Sequence, residues 1–120
     1  MDGDESDAAP AIRLVNSIID RACTEGASDI HMEPGEDSMT IRMRIDGALR
    51  PIIPVPRELQ NSVISRMKIM ARMDIAQKNI PQDGRANVTV RQETLDLRIS
   101  TLPTIHGEKV VVRLLRKTPE

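Results

Sequence analysis

The 120-residue sequence predicts an α+β domain, with one mostly antiparallel sheet and two main helices. Three observations carry this. Two segments place apolar residues at helical spacing, and several shorter ones alternate apolar and polar residues with period two. Turn signals, among them Asp46-Gly47, Asp83-Gly84 and clustered prolines, separate these segments.

Met1 to Ala9 reads as a disordered acidic tail, and residues 10–117 as the domain. Pro10 suits the first turn of a helix running to about Glu25. Ile12, Val15, Ile19, Ala22 and Cys23 form its stripe, Leu14 and Ile18 widen it, and Gly26 stops it. Cys23 reads as a small buried residue of that stripe. Ser28 to Pro34 is a short strand. From Met39 to Asp46, Ile41, Met43 and Ile45 alternate with Arg42 and Arg44, so one face is buried and the other carries arginines. Asp46-Gly47 predicts a tight hairpin. The returning strand, Ala48 to Ile53, contains Pro51 and therefore belongs at an edge, with Pro54 and Pro56 ending it.

A second helix follows to about Met73, with Leu59, Val63, Met67 and Met70 on its buried stripe, supported by Ile64 and Ala71. Ile75 to Arg85 reads as a loop. Ala86, Val88 and Val90 alternate in the next strand, and Gln92-Glu93 turn the chain. Leu95, Leu97 and Ile99 then face inward while Asp96, Arg98 and Ser100 face outward. After a Pro103 to Glu108 connector, Val110 to Leu115 forms a more continuously apolar strand.

Composition narrows function. With 39% hydrophobic and 29% charged residues the chain reads as globular. It has no Phe, Trp or Tyr, so its core is aliphatic with Met as filler, and the aromatic platforms of single-strand nucleic-acid binders are missing. A net charge of −1 supplies no global basic field, and no nucleic-acid partner is expected. The single cysteine forms no intrachain disulfide, which suits a reducing cytoplasm. The first ten residues are not a signal peptide, and no apolar run reaches the ~20 residues of a membrane span.

No GxxxxGK[ST], HExxH, GxSxG or paired-cysteine motif is present, so no catalytic and no metal-ligating residue is assigned. Asp29, His31 and Glu33 share one side of a strand, where they could hydrogen-bond one another or a partner. Arg85, following a glycine in a turn, and Arg98, on the next hairpin, are planar charged forks on adjacent elements. Such a pair could hold a phosphate bidentately or merely pair with Asp83, Glu93 or Asp96.

Taken together, ASDIHMEP, RMRIDG, KIMARMDIAQKNIPQDGR and DLRISTLPTIHGEKVVVRLL resemble the ATPase family of type II secretion and type IV pilus assembly. The resemblance covers roughly residues 10–117 and points to the domain preceding the RecA-like motor. It implies a PAS-like α+β fold and a cytoplasmic homo-hexamer. Its partners would be the protein's own motor domain and neighbouring subunits, with inner-membrane platform proteins engaged indirectly. It also implies ATP and Mg2+ bound in the parent protein. The matching positions for arginines reaching the ATP phosphates are Arg85 in PQDGR and Arg98 in DLRIST; Arg44 in RMRIDG and Arg113 in VVRLL are further candidates. With no phosphate loop before Glu120, these residues alone are expected not to hydrolyse ATP. The rival reading is a stand-alone PAS-like module that senses a small molecule.

Overall fold

The computed structural model describes residues 3–116, with side chains from Ala8 onward. In chain order the elements are α1 (Gly3–Glu25), β1 (Asp29–Pro34), β2 (Ser38–Ile45), β3 (Ala48–Pro56), α2 (Arg57–Met70), β4 (Gln82–Val90), β5 (Glu93–Thr104) and β6 (Gly107–Arg116). All six strands join one antiparallel sheet in the order β3-β2-β1-β6-β5-β4. This is the predicted fold class.

One face of the sheet is apolar because period-two patterning runs through the strands. Ile30 and Met32, Met39, Ile41 and Met43, Leu95, Leu97 and Ile99, and Val110 and Val112 are all almost fully buried. Val15, Ile18, Ile19 and Ala22 of α1 and Val63, Ile64 and Met67 of α2 complete that core. Each such large aliphatic contributes roughly 1.5–3 kcal/mol of transfer free energy. Ile12, placed on the α1 stripe from its spacing, is instead 37% exposed, and Ala11 takes the buried position.

The helix begins at Gly3, so Gly3–Ala9 is not the tail predicted from its acidity. Ala8 and Ala9 are strong helix formers, and the helix passes through Pro10 at the loss of the one bond proline cannot donate. Met1, Asp2 and Lys117 lie outside the described residues.

The Asp46-Gly47 hairpin forms as expected, with φ of 53° and 81° and Ile45 opposite Ala48. β3 is an edge strand, which explains Pro51, but it continues through Pro54 to Pro56. An edge position needs no donor on its outer side, so the prolines decorate the strand rather than end it.

Four other boundaries differ from expectation. α2 ends at Met70, not Met73, because Arg72 adopts φ 61° and the Arg72 and Met73 amides close back on Ile69 and Lys68. β4 starts at Gln82, so Arg85 sits within a strand and not in a turn. The chain reverses at Arg91-Gln92, both at positive φ, one residue earlier than predicted and without the usual glycine. The 103–108 connector is mostly strand around a tight Ile105-His106 turn, and β6 alternates strictly, with Glu108 buried and Leu115 exposed.

Candidate functional site

The second face of the sheet is uncovered by either helix and is rich in charge. Residues opposite one another across antiparallel strands project from the same face. Arg85 lies opposite Arg98, Arg98 opposite Arg113, Arg113 opposite Asp29, and Asp29 opposite Arg44. The four arginines singled out from sequence therefore form one row across five strands, interrupted only by Asp29.

The two ends of that row differ electrostatically. Asp29 accepts from Arg44 Nε at 3.2 Å and lies 3.7 Å from Arg113 Nε, so one carboxylate is shared between two guanidiniums. Arg44 also donates to the Gly47 carbonyl at 3.1 Å, which fixes its fork against the hairpin. At the other end Arg85 donates to Asp96 at 3.1 Å, with the Arg85 side chain 65% exposed. Arg98 is exposed and, among the described residues, meets no carboxylate within ion-pair distance. Arg85 and Arg98 border one surface cleft of about 360 Å³, lined also by Asp83, Gly84, Ile99 and Ser100.

The expectation that Asp29, His31 and Glu33 face together is met, but they do not bond one another. Glu33 accepts from Arg42 at 2.9 Å and lies 3.6 Å from Lys109 Nζ. His31 sits between these pairs with Nδ1 buried and without a protein partner among the described residues. Burial first, then the Lys109 charge, push its pKa below the ordinary histidine value despite the two carboxylates.

Sequence reasoning missed the buried pair behind the sheet, Lys68 Nζ to Glu108 Oε1 at 2.8 Å, with Lys68 also donating to the Gln77 carbonyl at 2.7 Å. A signal existed, since Glu108 is in phase with Val110 and Val112. Chemically, the open face offers adjacent guanidinium forks, and in the cleft between them the Ser100 hydroxyl donates to the Asp83 carboxylate at 2.7 Å. The face suits anion recognition. Among the described residues no His, Cys, Asp and Glu cluster is arranged to hold a metal ion, and no helix is long and apolar enough to cross a membrane.

Comparison with known proteins identifies the relatives of this chain. A family profile described as type II/IV secretion system protein matches residues 4–120. Type II secretion system protein E of Pseudomonas aeruginosa is 50% identical over 114 residues, which is 95% of this chain and 23% of that relative. Type II secretion system ATPase E of Vibrio cholerae is 46% identical over 95% of this chain and 23% of its own length. Among solved structures, the pilus retraction motor PilT with bound ADP superposes with a TM-score of 0.59 and 27% identity, over 86% of this chain and 29% of that one. The chain thus spans about a quarter of the length of these curated relatives.

Proposed function

This chain belongs to the type II/IV secretion system protein family, and from that premise we propose that it is the accessory domain preceding the motor of a hexameric ATPase that drives type II secretion or type IV pilus assembly. In this reading Arg85 and Arg98 turn toward the phosphates of ATP held on the motor. Arg113 and Arg44 continue the positive row behind them. The motor supplies the phosphate loop and Mg2+, since no GxxxxGK[ST] motif occurs in these 120 residues. The parent works in the cytoplasm, as a homo-hexamer peripheral to the inner membrane through its platform partners.

The observation that supports this most is Arg98. It stands in register beside Arg85 and, among the described residues, has no carboxylate of its own, an arrangement that costs like-charge repulsion unless an anion completes it. An arginine that contacts the γ-phosphate can contribute on the order of 10³ in rate. In the full-length ATPase, Arg98→Ala should therefore lower kcat strongly, and Arg98→Lys should rescue poorly because a point charge cannot replace a planar fork. Equal turnover by wild type, alanine and lysine variants would remove the assignment.

A further inference from the structure

A separate feature lies at the free edge of β4, where helix and strand meet. A cleft of about 640 Å³ is bordered by Arg66, Met70 and Arg72 from α2 and its cap and by Arg85, Ala86 and Asp96 from the strands. We propose that this cleft binds a phosphate group, with Arg66 and Arg72 as its principal ligands and Arg85 at its rim.

Backbone geometry brings the arginines together. A Cβ built on Gly84 would lie 2.4 Å from the Ala71 carbonyl oxygen, so β4 touches the end of α2 backbone to backbone. The residues that follow this contact on each side are Arg72 and Arg85. Arg66 and Met70 are one helical turn apart and share a face. Glycine at position 84 thus permits the close approach, and the arginines flank it.

Arg72 occupies the position after the helix cap that glycine usually fills. Its φ of 61° is left-handed, and its amide and that of Met73 make the closing bonds of 3.1 and 2.8 Å to Ile69 and Lys68. Holding a long side chain there strains the backbone, which a side chain with a task justifies. A helix C-terminus welcomes any cation nearby, but that preference needs neither the strained position nor two further arginines at the same cleft.

The charges are unbalanced as well. Arg85 is answered by Asp96. Among the described residues Arg66 and Arg72 pair with no carboxylate, and Arg66 Nε is buried without a hydrogen-bond partner. Two guanidiniums without a carboxylate among the described residues match the charge of a phosphate monoester or inorganic phosphate, roughly −1.5 to −2 at neutral pH, and each can offer paired N–H donors.

The test is titration of the 120-residue chain with inorganic pyrophosphate at low salt, followed by amide NMR shifts and calorimetry. Shifts should concentrate at Arg66, Arg72 and the Gly84–Val88 segment. Arg66→Gln and Arg72→Gly should each weaken binding about tenfold or more, as loss of a charge-assisted hydrogen bond does. Arg50→Gln, the same charge change on the far edge strand, should leave it intact. Arg72→Gly should also raise the melting temperature by about 2–5 °C, since glycine relieves the left-handed strain. That gain alongside lost binding separates a ligand role from a structural one. Parallel titrations with ATP and inorganic phosphate identify the source of the group: tighter binding of ATP assigns a nucleotide, equal binding the phosphate alone. Undiminished pyrophosphate binding in both Arg66→Gln and Arg72→Gly, or binding lost only in Arg98→Gln, would put the anion elsewhere and overturn the proposal.

Discussion

His31 is surrounded by charge on the open face, with Asp29 and Glu33 on its own strand and Lys109 and Arg44 on the flanking ones. It is nonetheless poorly placed to carry a proton, because burial outweighs the carboxylates and lowers its pKa. The unfolded chain titrates near the ordinary value of about 6.5, so on acidification it takes up the proton before the folded chain does. Stability should therefore decline as pH falls through about 6.5 toward the lower folded value, and be regained above it. Comparing urea midpoints at pH 7.5 and 5.5 should show a smaller acid loss for His31→Gln than for wild type; equal losses would exclude His31 as a contributor. Lys68 and Glu108 offer a second test. Removing one partner of this buried pair strands the other charge, so Lys68→Met should cost about 3–5 kcal/mol. Lys68→Met with Glu108→Leu should recover much of that loss. Glu108 read as the end of a connector although it is in phase with Val110 and Val112, and its partner was not legible because Lys68 approaches from a helix distant in sequence.

At the scale of elements, local chemistry was legible where one residue type admits one geometry. Asp46-Gly47 declared its hairpin, and Pro51 declared an edge strand. The Arg91-Gln92 turn was misplaced because neither residue advertises positive φ, and β4 lost its first residues to an apparent Asp83-Gly84 turn. That glycine answers a packing need instead. The two glycines should accordingly fail differently. At Gly47 there is open space, so Gly47→Val costs only backbone strain, about 1–2 kcal/mol. At Gly84 an added methyl would sit 2.4 Å from the Ala71 carbonyl oxygen. Gly84→Ala should cost about 1–3 kcal/mol by pushing α2 from β4. Thermal melts of both variants check this, and an unperturbed Gly84→Ala protein would contradict the described contact.

Across the whole molecule, Arg44, Arg85, Arg98 and Arg113 could be named from motifs, yet their alignment could not. It depends on β6 lying between β1 and β5, a non-local pairing that no window of sequence encodes. Arg66 and Arg72 escaped notice for a similar reason: a helix end and a distant strand must meet before their cleft exists. In the proposed function Arg85 and Arg98 engage one phosphate together. Two groups acting on one transition-state charge are strongly non-additive, whereas independent surface pairs contribute separately and little. The most direct measurement is kcat for Arg85→Ala, Arg98→Ala and the double variant of the full-length ATPase, with melting temperatures recorded alongside. Each single change should reduce kcat by about 10³, with folding intact and the double variant only slightly worse; near-wild-type turnover in the two single variants would contradict the account.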